Sequence, residues 1–407
     1  MDSYSQFALH LQPSAIRAVS KAIHGKKVVS FAGGMPHPGS FPHEELAAIS
    51  AEILTTHGAE ALQYGQTQGY APLLDTVGKY LAGRGITGLE SKNLLIAAGS
   101  QQALDLVARL LIDPGDLVLM ESPGYPGASA AFVNLGARVE GIPVLADGPD
   151  LDVLEAVVRR ERPRFFYVTP NFANPAGVLM SREKRRRIAE LATLHNFWVI
   201  EDDAYGELFF SEIASADTVP LKAFDSGDRV IYMQTFSKTI APGLRVAAIA
   251  APAQVIQLIE TIKQVADMFT SSFTQMLVNE FIVRGYFAAK LPTLRNLYQG
   301  RRDAMDQALR EHLPEARWVT PKGGFFFWLE MSGDFDTQTL LAPALESGIA
   351  FMPGESFYLS AKRPTNAIRL AYSREPEALI ASGIGKLGEL ANVARELSQH
   401  AETSIVG

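Results

Sequence analysis

Six short apolar runs, at 93–98, 117–120, 164–168, 197–200, 229–233 and 246–250, are separated for the most part by stretches of helical spacing at 101–112, 151–160 and 182–195. No other feature restricts the fold as tightly. Strands covered on both faces read as continuous apolar runs, and a strand–helix alternation requires a mostly parallel sheet flanked by helices. The expected class is α/β. After about 252 the texture changes. A mostly helical stretch, 253–313, is expected to break at Pro292, and strand-like WVTPKGGFFFWLEM (318–331) and AIRLAYS (367–373) follow. This reads as a second, smaller α+β domain. At 407 residues the chain is long for one core. The expected division is a segment 1–45 that joins the small domain, a large domain 46–275 and a small domain 276–407.

Open α/β sheets bind ligands outside the carboxyl ends of their strands. The residues just beyond the expected ends are Gly99-Ser100-Gln101, 122–125, 171–174, 202–205 and 235–238, a polar and aromatic set on one rim. Within QTFSKTIAPGLR (234–245), Lys238 follows an apolar strand, Thr235 and Ser237 precede it, and Arg245 lies seven residues on. A partly desolvated lysine beside other cations is a nucleophilic amine. Hydroxyls and an arginine fork hold phosphate. An amine beside a phosphate site suits pyridoxal phosphate, which carries an aldehyde at one end and a phosphate at the other.

Composition removes several rival chemistries. Cysteine is absent, so disulfides, thiolate metal sites and cysteine nucleophiles are excluded. The eight histidines form no metal-spaced cluster, and no metal centre is expected. A formal charge of −7 argues against nucleic acid as a partner. The basic run 182–187 reads as a solvated helix face. No apolar stretch reaches the ~20 residues of a membrane span, and MDSYSQFALHLQPSAIRAVSK lacks the apolar core of a secretory signal. A cytoplasmic location is expected.

Taken in order, SFAGG (30–34), LQYGQTQGY (62–70), AAGSQQALDL (97–106), NPAG (174–177), EDDAYGEL (201–208), FSKTIAPGLR (236–245), PKGGFFFW (321–328) and IRLAYS (368–373) resemble the fold-type I, pyridoxal phosphate-dependent aminotransferases of class I/II. The likeness covers nearly the whole chain and is strongest to the branch holding kynurenine/α-aminoadipate and multi-substrate enzymes. It implies a mostly parallel seven-stranded sheet in the large domain. It also implies transfer of the amino group of an L-amino acid to a 2-oxo acid, 2-oxoglutarate or pyruvate, by a ping-pong scheme.

By this resemblance Lys238 is the Schiff-base lysine and the acid/base that moves the substrate proton. Asp202 pairs with the pyridinium nitrogen, and Tyr205 and Asn174 donate to the cofactor's phenolate oxygen. Tyr125 stacks on the ring, and Gly99, Ser100, Gln101, Thr235, Ser237 and Arg245 hold the phosphate. Tyr64 reaches the phosphate from the other subunit of a homodimer. Arg369 forks onto the substrate α-carboxylate, with Asn174, Gly34 and Arg17 also on the substrate side. The three-residue spacing to Tyr205 selects Asp202 over its neighbour Asp203, which reads as a helix N-cap; Ser100 also suits an N-cap. Where the family often has a glycine and an aromatic after PGLR, this chain has Ala247 and Ala248. Two alternatives stay open: another reaction on the same cofactor (elimination, decarboxylation, cyclisation or oxidation), and a ligand-sensing domain of a transcription regulator. Against the second, the likeness begins near residue 5, leaving no room for a DNA-binding module.

Overall fold

The computed structural model describes residues 27–332, 335–359 and 364–405, together with positions 3, 4, 8, 9, 11, 19, 21, 23 and 25. Arg17 lies outside the described residues. In chain order the strands are β1 (Val29–Ser30), β2 (Leu94–Ala97), β3 (Leu117–Ser122), β4 (Arg138–Leu145), β5 (Gly148–Pro149), β6 (Phe165–Val168), β7 (Trp198–Asp203), β8 (Val230–Thr235), β9 (Ala247–Ala250), β10 (Phe326–Glu330), β11 (Ile349–Ala350), β12 (Met352–Pro353) and β13 (Ala367–Ala371).

The large sheet has the order β2-β9-β8-β7-β6-β3-β4-β5. It is parallel from β4 through β8; β9 runs against both β8 and β2, which leaves β2 pointing the same way as β8. Seven of its strands form the expected sheet, and the two-residue β5 adds an eighth at the edge. Strands β2, β6, β8 and β9 are buried at every position, β2 although it ends the sheet, which is why they read as unbroken apolar runs. The run behind β4 escaped the sequence because its strand lies near the sheet edge and has only Ile142 fully buried.

The helices are α1 (His43–Thr56), α2 (Gly58–Ala61), α3 (Ala71–Gly83), α4 (Ser100–Leu111), α5 (Pro126–Asn134), α6 (Leu151–Arg160), α7 (Arg182–His195), α8 (Ala253–Ala266), α9 (Ser272–Val283), α10 (Tyr286–His312), α11 (Thr337–Glu346) and α12 (Glu377–Ile405). α6 begins where Asp150 accepts from the amides of Asp152 and Val153. α7 begins where Ser181 accepts from Lys184 and ends at left-handed Asn196. Pro292 does not break the helical stretch as expected: α10 runs through it. The stretch breaks earlier, at 267–271 between α8 and α9 and again at Gly285, whose φ of +80° suits glycine.

Phe287 and Leu291 of α10 pack with residues of α1, α3 and α9, whereas Leu294, Tyr298 and Met305 pack with β10, β13 and α12. One core therefore gives way to the next inside α10. β13 is the middle strand of a three-stranded antiparallel sheet between β10 and β12. β1 pairs in parallel with β11, Val29 opposite Ile349. That pairing carries the following Ala32-Gly33-Gly34 over to the large sheet's rim. No helix among the described residues is long and apolar enough to cross a membrane.

Candidate active site

Register decides which strand ends meet. Ala97 of β2 and Thr235 of β8 both pair with Ala247 of β9. The turn after β2 and the turn after β8 therefore lie one strand apart. Ala247, where the family often differs, is the small fully buried residue between them. After β2, Gly99 takes φ +92° and caps α4, which starts at Ser100. Ser100 is thus the first helical residue rather than the N-cap, because only glycine meets this positive φ without strain. A Cβ at Gly99 would stand 2.2 Å from Arg245 Nη2. Arg245, itself left-handed at φ +51°, donates from Nη2 to the Ala98 carbonyl at 2.9 Å. Thr235 Oγ1 donates to Ser237 Oγ at 2.8 Å. Free amides at the start of α4, two hydroxyls and a guanidinium thus share one small concavity.

Next to it Lys238 Nζ donates to the Gly34 carbonyl at 3.0 Å. A Cβ on Gly34 would come within 2.4 Å of Phe326 Cζ, so glycine is what lets this segment lie against β10. Burial pushes the Lys238 amine down to about 8; the cations Arg369 and Arg245 act in the same direction and Asp202 opposes them. Asp202, near the end of β7, is buried, and burial raises its carboxyl to about 6 against the lowering effect of a hydrogen bond from Tyr167. Its Oδ2 accepts from the Tyr167 hydroxyl at 2.8 Å, while Oδ1 is buried without a partner.

Tyr205 is buried, with its ring edge-on to Phe325 and Phe326 at 5.4 and 5.8 Å. Burial raises its phenol, so it stays a donor. Tyr125 donates to Gln101 Oε1 at 3.2 Å, and Gln101 donates to the Gly127 carbonyl.

Arg369 enters from β13, wholly buried. It donates from Nη1 to Asn174 Oδ1 at 2.9 Å and from Nη2 to the Ala32 carbonyl. Its guanidinium lies over the rings of Phe326 (4.5 Å) and Phe357 (4.8 Å). Nε has no partner, and among the described residues no carboxylate pairs with it. Burial lowers the group to about 10. A buried cation lacking an anion is a site for one.

Tyr64 and Asp203 make other contacts. Tyr64, expected to act from the other subunit, is 76% exposed, its ring edge-on to Phe269 at 5.7 Å. Asp203 is no helix N-cap, since no helix follows it. Successive strand residues face opposite sides of the sheet, so Asp203 points away from Asp202. There it accepts from Arg84, Asn171, the Tyr232 hydroxyl and the Gly206 amide. Arg84 continues to Glu207, which also accepts from Tyr80 and from Arg295 of α10. Sequence reading missed this layer, because its members are scattered from 80 to 295.

The family model described as aminotransferase class I and II matches residues 32–386. The aromatic-amino-acid aminotransferase 1 of Thermococcus litoralis is 37% identical over 95% of this chain and 93% of its own length. A kynurenine aminotransferase of Pyrococcus horikoshii superposes with a TM-score of 0.91 at 36% identity, covering 96% of this chain and 97% of that one. LysN, the α-aminoadipate aminotransferase of Thermus thermophilus, was solved with N-(5′-phosphopyridoxyl)-L-leucine; it gives 0.90 at 38% identity, covering 97% of this chain and 99% of that one. A match this complete, over a rim that offers an amine, a carboxylate and an anion cup, makes the chain a member of the class I and II aminotransferases, enzymes that transfer amino groups with pyridoxal phosphate.

Proposed function

We propose that this aminotransferase takes the amino group of an L-amino acid with an aromatic or long side chain and delivers it to a 2-oxo acid, 2-oxoglutarate or pyruvate, in two ping-pong half-reactions. The observation that carries the reading is Arg369, a fully buried guanidinium with no carboxylate partner among the described residues, held near the Lys238 amine. Each half-reaction presents one α-carboxylate, and a planar fork binds it bidentately. Phe326 and Phe357, which flank that guanidinium, support an apolar or aromatic side chain nearby, and relatives named for aromatic amino acids, kynurenine and aminoadipate support the same substrate range.

The residues present fit the cofactor. The orphaned Asp202 Oδ1 suits a protonated ring nitrogen, and the side-chain-free concavity at Gly99 suits a phosphate. The amides of Ser100 and Gln101, which Gly99 lets the anion approach, would hold the phosphate with Thr235, Ser237 and Arg245. When bound, pyridoxal phosphate supplies an aldehyde that condenses with amines and a ring that withdraws electrons from the substrate Cα. Lys238, partly neutral near pH 8, would accept the substrate Cα proton and return it at the cofactor's C4′. Asn174 is oriented by Arg369, which uses its Oδ1 and leaves its Nδ2 hydrogens to donate, alongside Tyr205, to the phenolate oxygen. Tyr125 covers a ring face, and Gly34 receives the lysine amine through its carbonyl. Arg17 is assigned to the substrate side by resemblance alone.

The test is a panel of amino donors offered with each acceptor and read by product mass. Amine exchange with parallel initial-rate lines is expected. Release of ammonia, carbon dioxide or peroxide without amine exchange would instead mark another reaction on the same cofactor.

We further propose a homodimer in which Tyr64 completes the partner's phosphate site. Its exposure, with Leu62 76%, Val265 90% and Met268 54% exposed, supports a buried face in an assembly. Lys238→Ala and Tyr64→Ala chains, each nearly inactive, should recover roughly a quarter of wild-type activity when unfolded and reassembled together, because half the dimers regain one of two sites. No recovery would show that Tyr64 does not act across an interface.

A further inference from the structure

We propose that Tyr167 is a positioning residue for the cofactor's ring nitrogen: its phenol, 2.8 Å from Asp202 Oδ2, turns that carboxylate so that Oδ1 alone faces the ring. The inference rests on the assignment of Asp202 made above. Tyr167 of β6 pairs in register with Ile200 of β7, and Asp202 stands two residues further along on the same face. The phenol ring is 2% exposed and is fixed edge-on against Phe132 at 5.7 Å, so it cannot swing away.

The two oxygens of Asp202 are thus unequal. One is committed to a phenol donor from the neighbouring strand, and the other is buried without a donor. An ionised carboxylate only accepts hydrogen bonds, and a donor to it favours the charged form. In this buried position the other charged or titratable groups that act on Asp202 are Lys238 beyond β8, Tyr205, and, from the opposite face of its own strand, Asp203. Asp203 disfavours the carboxylate and Lys238 favours it. Lys238 is the group whose amine is consumed when the cofactor is held, which leaves Tyr167 as the constant donor. Without it the carboxyl is free to rotate and to keep its own proton. It would then offer the ring nitrogen a neutral hydrogen bond in place of an ion pair.

Tyr167→Phe keeps the ring and its packing and removes only the hydroxyl. Cofactor-free protein should then bind pyridoxal phosphate about 10-fold more weakly, the loss typical of one hydrogen bond to a charged group. Binding of the analogue with carbon in place of the ring nitrogen should be unchanged. Turnover should fall about 10-fold with little change in KM for the donor, and the pH at which the bound cofactor's visible absorbance changes should move. In an Asp202→Asn background the same substitution should have no further effect on cofactor affinity. Equal losses for the cofactor and its analogue would reduce Tyr167 to packing. An unchanged affinity and absorbance titration would remove the proposal. Wild-type protein that binds neither compound would instead overturn the assignment of the pocket itself.

Discussion

Lys238→Ala is expected to cut turnover by ~10⁴-fold or more while leaving the fold intact, because one amine both captures the cofactor and moves the substrate proton. The environment explains why this lysine is fit for both tasks. Burial, Arg369 and Arg245 bring the amine to about 8. At pH 7.5 roughly a quarter of such amines are neutral, against about one in a thousand for an ordinary lysine. The sign is fixed by the chemistry, since only the neutral amine attacks an aldehyde or takes a proton. Capture of pyridoxal phosphate by the cofactor-free protein should therefore accelerate from pH 6 to about 8 and then level off. A rate that keeps climbing to pH 10 would mean that the amine is solvated and that the surrounding cations do not act on it. Lys238→Arg should be as inactive as the alanine variant, because a guanidinium supplies no neutral amine. A small primary amine added to Lys238→Ala should restore part of the proton transfer. Undiminished turnover in the alanine variant would place the reacting amine elsewhere.

The strand–helix rhythm was legible because the central strands are buried on both faces and so leave unbroken apolar runs. The site was legible for a related reason. Lys238, Asp202, Tyr205 and Asn174 all sit within three residues of a strand end or in the loop beyond it, and strand ends converge in this fold. The misses share a cause in three dimensions. Pro292 reads as a stop, yet helix packing on both sides carries α10 through it, and the chain turns instead at Gly285. Asp202 and Asp203 look interchangeable in the sequence, but the two-residue period of a strand sends them to opposite faces. One meets Tyr167 and the other meets Arg84, and neither partner is near in the chain. Tyr167 itself read as one more apolar strand residue; a polar hydroxyl next to the end of a buried strand was the only signal that it needed a partner.

The second large effect separates binding from stability. Arg369→Met should lower kcat/KM by ~10²- to 10³-fold, the loss expected when one partner of a buried, hydrogen-bonded ion pair is removed. KM for both amino donor and 2-oxo acid should rise, since each brings an α-carboxylate. The fold, however, should not suffer in proportion. Burial at this position opposes the charge and brings the group down to about 10, below its ordinary range. In the substrate-free chain, among the described residues, the Asn174 and Ala32 oxygens, two aromatic faces and the nearby Tyr205 and Tyr125 phenols compensate. Methionine keeps the length, fills the space between Phe326 and Phe357 and removes the desolvated cation, while leaving those two acceptors without a donor. The melting temperature of the substrate-free protein should therefore stay within a few degrees of wild type or rise. Saturating 2-oxo acid should stabilise the wild type and leave the methionine variant unmoved, because only the former has an anion site to fill. A melting temperature lowered by ten degrees or more, with ligand stabilisation retained, would identify Arg369 as a structural cation and leave the substrate carboxylate to be held by another group.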